Sequence, residues 1–219
     1  MMALSNGVKC FILITMKTDV TSPRRKTGRP LSFDRDEALQ KAMLRFWQHG
    51  YEGTSLADLT QHMGITPPSL YYAYGDKKRL FFECLKLYLS GPKSSASIIA
   101  NASTAKEAAQ DLLETSAIGF TGKNMPVGCM LSSAAISCSE EALDVKQALA
   151  DGRLEVEKSL KQKISQGMRS GEFKSQFDDE ALAGHIMAVI QGMSTLARDG
   201  ASREKLLRIA TTAMLAWPT

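Results

Sequence analysis

Gly50-Tyr51-Glu52-Gly53-Thr54-Ser55-Leu56-Ala57-Asp58-Leu59, joined a few residues on by Gly64-Ile65-Thr66-Pro67-Pro68-Ser69-Leu70-Tyr71-Tyr72-Ala73-Tyr74-Gly75-Asp76-Lys77, decides how this chain folds. Ser55 stands where a helix is capped, and Asp58 occupies the reciprocal position three residues later. Leu56 and Leu59 supply an inward face, and Gly64 ends the segment. The next cap, Thr66, follows two residues after Gly64. Pro67 and Pro68 then fill a first turn, where a missing N–H costs nothing. The third helix is expected to run to about Tyr72. Two short helices around a glycine turn fit a helix-turn-helix, whose second helix can lie in the major groove of DNA. An ordinary helical hairpin inside a bundle meets the same spacing.

Working outward, the helical period continues on both sides. Upstream, Ala38, Leu39, Ala42, Met43, Phe46 and Trp47 share one face. Asp34 is placed to cap that helix, with Glu37 completing a capping-box-like pair, and Gly50 closes it. Downstream, Asp76 caps a fourth helix carrying Leu80, Phe81, Cys84, Leu85 and Tyr88 on one face. Gly91-Pro92 and the Ser-rich stretch 94–97 mark a boundary or a helix break. Beyond it come a stripe from Ala105 to Phe120, a short segment from Val127 to Cys138, and a long helix closed by Gly171. A helix over about Asp178–Arg198 and a last one from Ser202 follow. No segment alternates as a half-buried strand does. The reading is all-α, about nine helices: a flexible extension and basic arm over 1–31, a helix-turn-helix domain over 32–92, and a C-terminal helical domain over 93–219.

The net charge of +4 is unevenly spread. Residues 1–92 hold 13 Lys and Arg against 8 Asp and Glu, and the remainder holds 14 against 15. Arg24, Arg25, Lys26 and Arg29 cluster with no acid beside them, as an electrostatic footprint for phosphates does, although a solvated basic tail has the same composition. The apolar run Cys10–Ile14 is far too short to cross a membrane. It lacks a signal-peptide cleavage site, so residues 1–15 read as disordered or artefactual, with Met16 an alternative start. Four cysteines at 10, 84, 129 and 138 form no C-x-x-C pair, which argues against a zinc ribbon and for free thiols in a reducing cytoplasm. No phosphate-binding loop, dinucleotide fingerprint, H-E-x-x-H or G-x-S-x-G is present, and His49, His62 and His185 lie apart. No enzyme, cofactor or metal site is therefore expected.

The two quoted stretches resemble the TetR/AcrR signature, whose second half runs roughly Gly-Val-Ser-x-x-x-Leu-Tyr-x-x-Phe-x-x-Lys before an apolar helix. The likeness covers about residues 34–90. It implies a transcriptional repressor that binds double-stranded operator DNA as a homodimer. Carried over position by position, Thr54 and Ser55 donate to phosphate, Thr66 to Tyr72 form the recognition helix, Tyr71 contacts the backbone, and Lys77 sets a cation against phosphate. Two departures stand out. Tyr74 replaces the usual Phe, with little expected change in packing. Pro67 and Pro68 replace a basic or small residue and Gly, so base readout falls on Thr66, Ser69, Tyr72 and apolar contacts such as Leu70. With no arginine in this helix, the basic arm is left to read an adjacent minor groove, as homeodomain arms do.

The C-terminal half carries the family's landmarks Gly128-Cys129-Met130-Leu131, Gln191-Gly192-Met193 and Trp217-Pro218. The resemblance implies a small-molecule effector pocket there, with Tyr88, Phe120 and Cys129 as candidates, and a dimer made by the last two helices. Gly184, Ala188 and Gly192 recur every four residues, which lets a second helix approach closely, and Met214 and Trp217 are expected to join that interface. Cys129 at a helix start is either a reactive thiol or a small core residue. Cys129 and Cys138 on one helix would be about 900° apart, on opposite faces, and unable to share a metal. An activator, or a DNA-binding protein without an effector, is the alternative function. A chain starting at Met16 is expected to bind operator with unchanged affinity in a gel-shift titration. Removal through Gly28 is expected to weaken it, because Arg24, Arg25 and Lys26 go too. Loss of binding in the first truncation would show that residues 1–15 have a role.

Overall fold

The computed structural model describes residues 33–91, 93–134, 139–173 and 177–218. The basic arm of Arg24, Arg25, Lys26 and Arg29, and Cys138, lie outside the described residues. Among those described, every regular element is helical: α1 Arg35–His49, α2 Leu56–Met63, α3 Pro67–Tyr74, α4 Lys77–Ser90, α5 Ser95–Asn101, α6 Ala105–Gly119, the single turn α7 Met130–Ser133, α8 Leu143–Arg169, α9 Asp179–Arg198 and α10 Arg203–Ala213. Short 3-10 turns at Glu140–Ala142 and Met214–Ala216 complete the order. α5 occupies the Ser-rich stretch that the sequence marks as a boundary or break. Ser94 caps it by accepting from the Ser97 N–H.

Local chemistry explains where the first four helices start and stop. Asp34 caps α1 by accepting from the Asp36 and Glu37 N–H groups. The Glu37 carboxylate turns forward to Lys41 at 2.7 Å. Ser55 and Asp58 form a full capping box on α2, and Gly64 closes that helix in the left-handed region at φ 70°. Thr66 caps α3 with Pro67 and Pro68 in its first turn. α3 runs two residues past Tyr72, to Tyr74, before Gly75 turns the chain at φ 86°. Asp76 then caps α4 through the Arg79 N–H.

These helices are held by an aromatic centre. The Phe46 ring of α1 meets Phe81 of α4 edge-on at 5.1 Å, and Tyr51 meets Phe81 edge-on at 5.2 Å. Leu59, Leu70 and Leu80 close around it, all fully buried. The Tyr74 hydroxyl donates to the Arg35 carbonyl at 2.6 Å, and the Arg35 guanidinium lies 4.6 Å from the Tyr74 ring centre. The expectation that Tyr74 differs little from Phe in packing is corrected, because the hydroxyl ties the end of α3 to the start of α1. Burial pushes its pKa up to about 12, so it stays a donor.

Leu31–Thr219 forms one unit, with α1 and α4 packed on α7 and α8. The Trp47 indole N–H donates to the Gly128 carbonyl at 3.1 Å. At the far end, the Glu172 carboxylate accepts from the Ala105 and Lys106 N–H groups, both at 2.9 Å, and so caps α6. On α9, Ala188 and Gly192 are exposed and Gly184 is half-buried, so the small-residue stripe lies open. Trp217 is corrected: it is buried in its own chain, edge-on to Phe173 at 5.9 Å. The large apolar side chain left projecting there is Leu215, 81% exposed. Tyr74→Phe is expected to lower unfolding free energy by about 1 kcal/mol, the net worth of one hydrogen bond, as a shifted urea midpoint with unchanged slope.

Candidate nucleic-acid interface

α3 presents two aromatic side chains and few other donors. Tyr71 is 51% exposed and Tyr72 is 70% exposed, the highest exposure of any aromatic side chain among the described residues. Consecutive residues on a helix point about 100° apart, so the two phenols reach different parts of a bound groove. Thr66 and Ser69 face the same way, and their hydroxyls are paired at 2.9 Å, with one hydrogen left to offer outward. Pro67 and Pro68 are exposed and supply only apolar surface. Leu70 is corrected as a DNA contact: its side chain is fully buried and anchors α3 to the core.

The turn before α2 departs further from expectation. Thr54 is fully buried, and its hydroxyl donates to the Gly50 carbonyl at 2.6 Å. It satisfies a carbonyl at the end of α1 and does not reach phosphate. Ser55 is exposed, but its hydroxyl hydrogen goes to the Asp58 carboxylate at 2.6 Å inside the capping box. The phosphate role given to its side chain is therefore corrected to a capping role, which points the α2 N-terminus outward. Lys77 is half-buried, with its ammonium 4.3 Å from the centre of the Tyr51 ring. Desolvation lowers its pKa, and the nearby Glu52 carboxylate partly opposes this. The ring thus holds the ammonium at the α4 N-terminus. Tyr51 carries a supporting role that the sequence did not disclose, since nothing in a spacing of 26 residues signals the contact.

In the C-terminal half, two of the three candidate ligand residues, Tyr88 and Cys129, meet, and the third, Phe120, is tied to the residue before Cys129. The Tyr88 hydroxyl lies 3.4 Å from the Cys129 sulfur, and the Gly128 N–H donates to the Phe120 carbonyl. Burial, then the Cys129 thiol beside it, push the Tyr88 phenol pKa up. Phe120 and Cys129 are buried, and the Cys129 N–H donates to the Ser194 hydroxyl of α9 at 2.8 Å. This is a packed junction of α4, α7 and α9. A cavity of about 400 Å³ lies elsewhere, lined by Ser97, Asn101, Asp111 and Thr115 among others. A second, of about 300 Å³, is lined by Trp47, Gln48, Met125, Val127 and Arg198 among others. α7 ends at Ser133, so the expected single helix from Cys129 to Cys138 is not supported, and with it goes the half-turn argument against a shared metal. Among the described residues no cluster of three or more His, Cys, Asp or Glu is placed to hold a metal, and no helix is long and apolar enough to cross a membrane.

This arrangement defines a helix-turn-helix regulator of transcription. Residues 38–84 match the sequence model described as bacterial regulatory proteins, tetR family, and residues 103–213 match the tetracyclin repressor-like C-terminal domain. The chain belongs to the TetR family. It is 39% identical over 206 residues to the HTH-type transcriptional repressor ComR of Escherichia coli K12, covering 93% of this chain and 98% of that protein. It is 29% identical over 191 residues to the repressor BdcR of the same strain, covering 87% and 91%. Among solved structures, a cysteine mutant of the TetR-family regulator CifR complexed with 26-base-pair operator DNA superposes with a TM-score of 0.83. That pair is 39% identical over 87% of this chain and all of the other.

Thr54→Val is expected to cost about 1–3 kcal/mol, because a covered carbonyl loses its donor, and to leave the affinity of the folded fraction for DNA unchanged. Tyr71→Phe is expected to do the reverse. Urea melts and gel-shift titrations on both variants separate the two roles, and a DNA-specific loss in Thr54→Val would restore the phosphate contact.

Proposed function

We propose that the chain works in the cytoplasm as a homodimeric, ligand-responsive repressor, placing α3 of each subunit in the major groove of a palindromic double-stranded operator. The observation that carries this reading is the pair of projecting phenols, Tyr71 and Tyr72, on a helix held at both ends by caps and anchored beneath by Leu70. A CifR mutant of the same fold is complexed with operator DNA, and ComR is named a repressor; both support the assignment. Lys77 and the basic arm supply phosphate contacts, and Thr66, Ser69 and Tyr72 supply base contacts. The open stripe of α9 and the projecting Leu215 support dimerisation through the last two helices.

The effector is read as a small molecule that enters near Tyr88, Phe120 and Cys129. That junction joins α4, which follows the recognition helix, to α9, which carries the dimer stripe. A ligand there acts only by favouring one spacing of the two recognition helices over another. The covered, hydrogen-bonded Cys129 favours a packing role for the thiol over a sensing one. A reporter under the native promoter, with and without deletion of the gene, separates repression from activation.

Operator binding is expected to be dimeric and strongly salt-dependent, with each neutralised phosphate adding about 0.9 to the log–log slope. Two half-sites should lie about one helical turn apart or a multiple of it. A footprint over one unpaired half-site with a flat salt response would overturn the assignment.

A further inference from the structure

The helix-turn-helix is fastened to the C-terminal half at two points of the chain, before α2 and after α3, and the side chains that do so, Glu52 and Lys78, belong to neither the recognition helix nor the core. Before α2, the Tyr51 N–H donates to the Ala134 carbonyl at 2.8 Å. Next to it, one Glu52 carboxylate oxygen accepts from the Ser139 N–H at 3.1 Å and from the Ser139 hydroxyl at 2.7 Å. After α3, the Lys78 ammonium in the first turn of α4 donates to the Glu141 carbonyl at 2.9 Å and lies 2.9 Å from the Asp144 carboxylate. Asp144 in turn accepts from the Val145 N–H, which orients it at the start of α8. Gly50 allows the chains this close, since a Cβ there would lie 3.2 Å from the Ala134 carbonyl oxygen on a backbone at φ 77°.

We propose that Glu52 and Lys78 are positioning residues that clamp the recognition helix at a fixed orientation to the dimerising half, and so set the half-site spacing that the dimer accepts. The proposal rests on the operator-binding reading above. The clamp brackets α2 and α3, from the turn that enters α2 to the first turn after α3. The two anchors lie near one another, with the Lys77 ammonium next to Lys78 resting on the Tyr51 ring, and together they restrain the entry to α2 and the exit from α3 more than either does alone. The anchors end on Ser139 and Glu141, just before α8, and on Asp144 in its first turn. Ser139 donors lower the Glu52 pKa, and the Asp144 contact raises that of Lys78, so both groups keep their charge at neutral pH. Each contact alone is half-exposed and weak. Their joint effect is on geometry, because one base pair of spacing moves a half-site by about 3.4 Å and turns it by about 35° around the duplex.

The test uses the full chain, Glu52→Ala, which removes the acceptor, Lys78→Glu, and the charge swap Lys78→Glu with Asp144→Lys. Affinities are measured on operators with the native spacing and with one base pair inserted or removed. The native protein is expected to prefer its own spacing, and each single variant to lose about threefold to tenfold of that preference. The swap is expected to regain it to within about twofold. A charge effect on DNA, or partial unfolding, lowers affinity on all spacings alike and cancels in the ratio. Amide exchange at Tyr51 and Ser139 is followed in the same four proteins without DNA, and is expected to quicken in the single variants and recover in the swap. Unchanged spacing preference or unchanged exchange in both single variants overturns the clamp, as does a swap that fails to restore them. Should the native chain bind no operator while exchange follows the expected order, the operator-binding reading falls and the fastening stands, without its role in spacing.

Discussion

The position of the DNA-binding helices depends on burial of one ring, that of Tyr51. It is only 8% exposed and packs edge-on to Phe81, with Phe46 stacked beside it. Its backbone N–H reaches Ala134, and its ring supports the Lys77 ammonium. One residue in the turn between α1 and α2 therefore joins the core, the C-terminal half and the cation at the α4 N-terminus. Desolvation raises its pKa, which keeps the phenol neutral under the lysine. The geometry of α2 and α3 follows from what this ring permits, because short helices of eight residues are not stable without a surface to pack on.

The chemistry of the interface is shaped by what its prolines removed. Pro67 and Pro68 pre-form the first turn of α3 and offer no donors. Thr66 and Ser69 are partly engaged with each other, so the projecting donors on the helix are phenols. A phenol gives one directional hydrogen bond and a flat apolar face, which suits backbone contact and thymine methyl packing more than bidentate reading of guanine. In the proposed reading, cations on the flanks supply the attraction to the duplex, through Lys77 at the helix end and the basic residues of the arm.

The C-terminal half meets the reading head at a junction where Trp47, Tyr88 and Cys129 come together. Trp47 is edge-on to Tyr88 at 5.1 Å and donates to the Gly128 carbonyl. Gly128 sits at φ 81°, with Ser194 and Arg198 of α9 packed against it, so the loop fits closely against the helix that bears the small-residue stripe. A side chain there would be strained and crowded. Change at this junction is felt by α1, α4 and α9 together, since packed interiors shift between discrete arrangements and do not deform continuously.

Most of the fold was legible in the chain because its signals are local. Caps at Asp34, Ser55, Thr66 and Asp76, and glycine ends at Gly50 and Gly64, act within four residues. Apolar period then fixed which faces turn inward. The family signature added the order of the helices and the identity of the recognition helix, and the Phe-to-Tyr change at position 74 was visible, though its hydrogen bond to Arg35 was not. What the tertiary structure alone decided was the destination of polar side chains. Thr54 and Ser55 turned to Gly50 and Asp58, Leu70 and Trp217 went inward, and Glu52 and Lys78 found Ser139 and Asp144. A hydroxyl or an ammonium carries no period of its own. Its partner is set by which distant backbone the packed helices bring within 3 Å, and that distance exists only once the chain has folded.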